Sequence, residues 1–496
     1  MAFDIIATNK ITQELQNIIG YKVDKICQPN KNTIILGLYK ASNNLALLSC
    51  ISSNNYRVHL TTHQYQNPTV APNFCMLLRK HLIGFKIQKI YNHDFERIIF
   101  IDFENSDNPD KPIYKKLLIE LMGKHSNIIL TNENDIIIDS LRHTSTEDNS
   151  QRDIYPTCRY LLPEPNNYNK NLALSNSISY NVPNNYSSLN SFLDDFYFKK
   201  ESTEIFNNRK NSILSIVSNT YKKYQKRLEN MNKKLLDCKD MDKYRLYGEL
   251  ITANLYKIPN RNINNVSVEN YYDNNLITIP LDERYSPSHN SKLYFKKYSK
   301  LKNALEIVNA QKQETLKNLN YIESVLFEIE NVSSLDDLIL IDEEISDSNN
   351  DVFNNTSAFK KGKFQKNSKY TNKNAKNKNS KDSNFHPLEF VIDDYKIYVG
   401  RNNKENDYLT TKFADKNDIW LHTQDIHGSH VILKTHPNET LPDNILLEAA
   451  KLASIHSKAK QSSGVLVDYC PISHVKKPSG SQPGFVIYKN HKTIKL

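Results

Sequence analysis

Residues 418–433 read DIWLHTQDIHGSHVIL, a stretch that holds the one Trp of the chain together with three His and a Gly-Ser pair. DIWLH and HVIL have the composition of strands, and QDIHGS between them is a turn in which Gly428 is expected to supply the permissive backbone. The segment therefore predicts a β-hairpin. Zinc is one reading of His422, His427 and His430, but no Cys or acidic cluster stands beside them to complete and orient a ligand set. A Ser-His-Asp reading with Ser429, His430 and Asp425 fails on direction, because neighbours on a strand point to opposite faces. The hairpin reads as a scaffold, with Trp420 a core or stacking residue, no metal and no catalytic group.

Around it, residues 386–496 form a block that is β-rich at both ends. Five of the eleven Gly (400, 428, 464, 480 and 484) lie there, as tightly specified turns require. Its middle, NILLEAAKLASIHSKAK, predicts an amphipathic helix with Leu446, Ala450, Ala453 and Ile455 inward and Lys451, Lys458 and Lys460 outward. HVKKPSGSQPG (474–484) sets Lys476 and Lys477 beside Ser and Gly in a Pro-stiffened loop suited to phosphate contact. Upstream, 345–385 is low in complexity, and 360–381 carry nine Lys and no acid. Such a stretch cannot bury enough apolar area to fold and is read as a disordered Lys/Asn-rich linker.

Before the linker the apolar period is helical. Leu214, Val217, Tyr221, Tyr224, Leu228, Met231, Leu235 and Cys238 recur in steps of three and four, as in a coiled-coil seam. A second seam runs Leu301, Leu305, Val308, Leu319, Ile322, Leu326 and Ile329, with Lys312 and Thr315 as interruptions. The two imply an antiparallel coiled-coil hairpin over 206–344 with a small structured tip near 245–295. Residues 1–173 mix helix and strand patterns. ITQELQNIIG and NFCMLLRKHLIG read as helices closed by Gly20 and Gly84, and TIILGLY, LALLSC, RIIFIDF and KLLIELM read as strands. ELMGKHSNIIL (120–130) places Lys124, His125, Ser126 and Asn127 at a turn between two of them. The fold class is multi-domain α+β.

The whole chain has 496 residues, too many for one core, with 65 Lys and Arg against 55 acids and a net charge of +10. A mean hydropathy of -0.62 says that much of the chain is solvated, and a pI near 8.9 points to an anionic partner, nucleic acid or a membrane surface. No window holds 18 consecutive apolar residues, and the start has no signal-peptide pattern, so a cytoplasmic protein without a membrane span is expected. The six Cys are scattered without a Cys-x-x-Cys pair, as fits isolated thiols. No phosphate-binding loop, dinucleotide fingerprint, His-Glu-x-x-His or nucleophile elbow occurs, which favours a binding protein without a cofactor over an enzyme.

Residues 397–433 and 467–494 resemble the NFACT-R domain, NFCMLLRKHLIG and IELMGKHSNIIL resemble NFACT-N, and YGELITANLYKI and SPSHNSKLYFKKYSKLKNA resemble the coiled-coil and middle region. In this order they identify the chain as a member of the RqcH/NEMF family, whose bacterial members have long been called fibronectin-binding proteins. The resemblance implies a factor of ribosome-associated quality control. It would bind the 50S subunit that holds a peptidyl-tRNA-blocked nascent chain, touching 23S rRNA and ribosomal proteins near the stalk base. It would bring alanyl-tRNA and promote an untemplated C-terminal alanine tail, with a small RNA-binding protein as a further partner. The ribosome itself would make the peptide bond.

The resemblance also assigns residues. Glu96 and Arg97 stand where the family has an Asp-Arg pair for tRNA, and Glu120, Met122, Gly123, Lys124 and His125 lie in the stretch beside the anticodon arm. Arg79 and Lys80, in NFCMLLRKHLIG, join this tRNA set. In NFACT-R the candidate rRNA contacts are Arg401, Trp420, His422, His430, Lys476 and Lys477. Three departures stand out. His427 replaces the usual Pro. The family's helix-hairpin-helix module is expected to be missing, leaving 174–205 as a short connector. NFACT-N is similar to the N-terminal domain of formamidopyrimidine-type DNA glycosylases, but Ala2 and Phe3 stand where their proline nucleophile and its adjoining glutamate would be, so base excision is not expected.

Overall fold

Asp4 starts the first helix, α1 (Ile5–Glu14), by accepting a hydrogen bond from the Ala7 amide at 2.9 Å. The structure is a computed structural model that describes residues 3–93, 96–105, 112–145, 152–164, 182–260, 263–347, 351–354, 385–435 and 441–496. It divides into two units, Met1–Ile205 and Phe206–Leu496.

In the first unit, α1 ends in a 3-10 turn over Leu15–Ile18, and Gly20 at φ +85° turns the chain into β1. The strands are β1 (Lys22–Asn30), β2 (Thr33–Lys40), β3 (Asn43–Cys50), β4 (Arg57–Leu60), β5 (Lys86–Asn92), β6 (Ile98–Asn105), β7 (Ile113–Glu120), β8 (Asn127–Asn132) and β9 (Ile137–Ser140), with α2 (Asn73–Leu82) between β4 and β5. They form one antiparallel sheet in the order β4-β3-β2-β1-β5-β6-β7-β8-β9. Alternate residues of these strands, such as Ile34, Leu36 and Leu38 or Ile99, Ile101 and Phe103, meet Ile11, Leu15 and Ile18 in the main core.

The third helix, α3 (Leu189–Asp237), starts earlier than its heptads suggest. Its opening turns bury Leu189, Leu193 and Tyr197 in the first core, and Asp194 accepts from Thr61 Oγ1 at 2.6 Å and the Thr62 amide at 2.8 Å. Arg57, fully buried on β4, pairs with Glu201 at 2.7 Å. The expected connector 174–205 is therefore helix from Leu189 onward. Residues 165–181, where the module deletion is expected, lie outside the described residues.

In the second unit α3 packs along α5 (Pro287–Asn331). Val217 and Tyr224 meet Leu319, Ile322 and Ile329 as the heptads predict, Ile213 joins them, and Met231 is buried farther along. Thr315 does not interrupt the seam: it is fully buried, its hydroxyl donates to Gln311 O at 2.8 Å, and it lies 3.7 Å from Met231 Sδ. At the tip, α4 (Met241–Ala253) lies on α5 so closely that a Cβ on Gly248 would come within 2.9 Å of the Phe295 ring. A hairpin of β10 (Asn265–Glu269) and β11 (Leu276–Pro280) closes this small core over Leu250, Ile251, Val268 and Ile279.

After α5 come α6 (Leu335–Ile345) and the short α7 (Asp351–Asn354). Val352 and Phe353 are buried beside Tyr321, Leu338 and Ile341, so the expected unfolded linker does not begin at 345. Two apolar neighbours were enough to recruit this end of a polar stretch. Residues 355–384, with the Lys run, lie outside the described residues.

The C-terminal domain contains β12 (Leu388–Ile392), β13 (Tyr395–Val399), α8 (Asn403–Tyr408), β14 (Ile419–Thr423), β15 (Val431–Leu433), α9 (Asp443–Ile455), β16 (Leu466–Pro471), β17 (Val475–Lys476), β18 (Ile487–Tyr488) and β19 (Lys492–Lys495). Its antiparallel sheet runs β12-β13-β15-β14-β16-β19, and β14 with β15 is the expected hairpin, Trp420 opposite Ile432. Helix α9 covers one face through Ile445, Leu446, Ala449, Ala450 and Ala453. Ile455, expected inside, is 56% exposed at the last turn. The hairpin turn takes its left-handed residue from Asp425, at φ +52°. Gly428 serves close approach instead, since a Cβ there would stand 2.8 Å from that of Ser457.

Candidate nucleic-acid interface

In the first unit the ends of β6, β7 and β8 gather one group of candidate residues. Ile98 pairs with Glu120, and the Leu121 amide donates to Arg97 O at 2.8 Å, so Arg97 and the start of the 121–126 loop are neighbours. Gly123, at φ +64°, turns this loop, and Ser126 Oγ accepts from the Met122 amide at 2.9 Å. Arg142 holds it from below. Its guanidinium donates to Lys124 O at 3.1 Å and Ser126 O at 3.2 Å, and to Asn32 Oδ1 and Ile51 O, each at 3.0 Å. With its carbonyls fixed, the loop presents the exposed side chains of Lys124 and His125. Tyr56 stands between this loop and Arg97: its ring lies 3.9 Å from where a Gly123 Cβ would be, and its hydroxyl accepts from Arg97 Nη1 at 3.3 Å. Arg97 Nε is buried with no hydrogen-bond partner.

Glu120 and Glu96 do not join this surface. Glu120 is fully buried, its oxygens taken by Arg152 at 2.9 and 3.1 Å and by the Tyr160 hydroxyl at 2.8 Å. Burial, and then the Glu120 charge, push the Tyr160 hydroxyl far above its ordinary value. Glu120 is a latch that holds the 152–161 segment on the sheet, which corrects its expected role in touching tRNA. Glu96 is 7% exposed and its carboxylate is likewise inside. Arg79 is tied to β1, donating to Ile26 O at 2.9 Å, while Lys80 is exposed on α2.

In the C-terminal domain Trp420 is 0% exposed and packs with Leu409, Ile432 and Cys470. His422 stacks beside it at 5.7 Å and Tyr488 lies at 4.8 Å, so no face of the indole is open for a base to stack on. His430, at 3% exposure, uses its amide on Asn406 Oδ1 at 2.9 Å and its ring Nδ1 on Thr410 Oγ1 at 2.7 Å. Burial lowers the pKa of His430 to about 3 and that of His422 to about 4, so both rings are neutral and offer no charge to phosphate. Arg401 is occupied as well, paired with Asp337 at 2.9 Å and Glu405 at 2.7 Å. His430 and Arg401 are thus structural where surface contact was expected, because a sequence pattern does not show which partners fold over a residue, and of the two places expected for Trp420, core or stacking, it takes the core. Lys476 is exposed, and Lys477 pairs with Asp407. That carboxylate also accepts from the Gly484 amide at 3.0 Å and so fixes the 477–484 loop. Among the described residues no group of three or more His, Cys, Asp or Glu could hold a metal ion, and no helix is long and apolar enough to cross a membrane.

Sequence reading missed Tyr56, Arg142 and Arg152; nothing in their local pattern marks them. It also missed a cleft of about 820 Å³ in the second unit, between residues 314–324 of α5, the 425–430 turn and the 478–488 loop.

The family model of the NFACT N-terminal and middle domains matches residues 4–178 and 166–363, and that of the NFACT protein RNA binding domain matches 385–490. The chain belongs to the NFACT family. Its similarity runs end to end: it is 31% identical to the Rqc2 homolog RqcH of Bacillus subtilis over 100% of this chain and 97% of that protein. To the Rqc2 homolog RqcH of Streptococcus suis it is 30% identical over 100% of this chain and 98% of that protein. The solved C-terminal part of the fibronectin/fibrinogen-binding protein from Streptococcus suis aligns with 59% of this NFACT chain and 94% of its own, at 27% identity and a TM-score of 0.40.

Proposed function

We propose that this NFACT protein works in ribosome-associated quality control as an RqcH-type factor. It binds a large ribosomal subunit that still carries peptidyl-tRNA, recruits alanyl-tRNA and promotes untemplated alanine addition to the blocked chain. The ribosome forms each bond, and this polypeptide acts by binding alone, in the cytoplasm. The observation that carries the reading is identity of 31% to an Rqc2 homolog RqcH over 100% of the chain, with an RNA-binding domain matched at 385–490. The site in the first unit supports it. Arg97, with an unpartnered Nε beside Tyr56, and the loop of Met122, Gly123, Lys124 and His125 form a rigid, cationic edge suited to a folded RNA backbone. Arg79 and Lys80 extend the basic surface on α2, and Lys476 serves rRNA from the C-terminal loop that Lys477 holds in shape through Asp407.

The test is purification of the tagged protein from cells at gentle ionic strength, with sequencing of the small RNAs and sizing of the ribosomal particle. Alanine tRNA and large subunits are the expected cargo, and absence of both overturns the reading. The older name of the family supplies one rival, a fibronectin-binding surface protein. Protease treatment of intact cells separates the two: the quality-control factor is protected, and the adhesin is digested.

A further inference from the structure

The cleft of about 820 Å³ has the size of a site for a small organic group. Its floor includes Trp420, whose indole N–H is buried and meets no acceptor, and the loop wall includes Ser481, whose buried hydroxyl is likewise unpartnered. Folded proteins rarely leave such donors unmatched, so the arrangement asks for acceptors from outside. His422 adds a neutral ring, while Asn318 and Asn320 on α5 add amides that both donate and accept. At the mouth Phe485 lies 48% exposed, a large ring held on the loop that Asp407 pins. Lys317 also borders the opening but is balanced there by Glu314 and Asp425, so the cleft has no charge excess to grip a phosphate.

We propose that this cleft receives an unpaired nucleobase of RNA, with Phe485 stacking on it and the Trp420 N–H, the Ser481 hydroxyl and the Asn side chains meeting its polar edge. A base presents carbonyl and ring-nitrogen acceptors around a flat apolar face, which matches unpaired donors beside an exposed ring. The inference rests on the RNA-binding reading of residues 385–490 and narrows it to single-stranded or extruded nucleotides rather than duplex backbone.

Trp420 is the only Trp of the chain, so Trp emission comes from this one position at the floor of the cleft. The full chain is titrated with a single-stranded RNA of about ten nucleotides and with a duplex of equal length, following both emission and anisotropy of the labelled RNA. The expected result is a saturable emission change with the single strand only, and about tenfold weaker single-strand binding for Phe485→Ala. RNA binding with unaltered Trp420 emission and an unaffected Phe485→Ala overturns the inference and leaves the proposed function standing. An emission change caused by an apolar peptide but not by RNA also overturns it, as a protein-docking cleft. Loss of all RNA and ribosome binding by the unmodified chain removes the functional reading as well.

Discussion

Glu344 and Glu328 lie in one buried space where α5 and α6 meet α8. Both are nearly inaccessible; Glu344 accepts from the Tyr321 hydroxyl at 2.7 Å, and Asn403 Nδ2 lies 3.4 Å from the same oxygen. Burial raises Glu344 to about 7, and burial together with the Glu344 charge holds Glu328 well above the carboxylate range. A carboxyl raised in the folded state stabilises fully below its unfolded pKa near 4.5, and that contribution disappears as pH rises through 7. The Glu344 contribution is therefore isolated by comparing urea unfolding of the protein with that of Glu344→Gln: the stability of the unsubstituted chain relative to the variant is expected to fall by up to about 3 kcal/mol across this window. His430 and His422 act on the other side. Their depressed values mean stability that is present above the unfolded pKa near 6.5 and lost as pH falls toward about 4. Glu120 gives a second residue-scale prediction. Removing its partner by Arg152→Ala strands a buried carboxylate and should cost about 3 kcal/mol, read as earlier thermal unfolding of the first unit. Glu120→Gln, which keeps an acceptor for Tyr160, should cost less.

At the scale of elements, the helices of the hairpin were legible because heptads are local, and so were α2 and the strands of the first sheet. The errors share one cause, that burial is decided by distant chain. Thr315 has the polarity of a seam break, yet its hydroxyl is satisfied within its own helix by Gln311 O, so its methyl can face Met231. Thr315→Val keeps the shape and removes only that local bond, and calorimetry should show unchanged or slightly raised stability, by about 1 kcal/mol at most. Gly248→Leu is the opposite case: its side chain must enter the Phe295 ring 2.9 Å away. A loss of about 1–3 kcal/mol is expected, together with faster hydrogen exchange in α4. The candidate RNA site was only half legible for the same reason. The cations of the 122–126 loop stood out in sequence, whereas Arg142, which joins that loop to Asn32 110 residues away, and Tyr56, which braces Arg97, carry no local mark. His430 misled, and Trp420 stayed open between core and stacking, because aromatic and imidazole groups look the same in sequence whether they face RNA or a core.

For the molecule as a whole, the proposed function has each unit bring its own cations to a polyanion, and the number of phosphates they neutralise sets how such binding depends on salt. Every phosphate neutralised releases condensed counterions, so the logarithm of affinity falls linearly with the logarithm of salt concentration. Lys124 and Lys476 are exposed, one in each unit, and their ammonium groups face solvent, whereas Arg401 and Lys477 already hold carboxylates. Lys124→Gln with Lys476→Gln should therefore lower the steepness of large-subunit association by about 0.7–0.9 for each phosphate that is no longer neutralised, measured by sedimentation over a salt series. Replacing Lys477 in the same way should act differently: it frees Asp407 and loosens the 477–484 loop, so affinity falls with less change in slope. Arg97→Ala separates the two RNAs. If its guanidinium serves the proposed tRNA edge, tRNA recovered with the protein should drop while ribosomal particles are retained. Parallel loss of both would mean that Arg97 serves the fold of the first unit through Tyr56, and thermal unfolding of the variant would then fall with it.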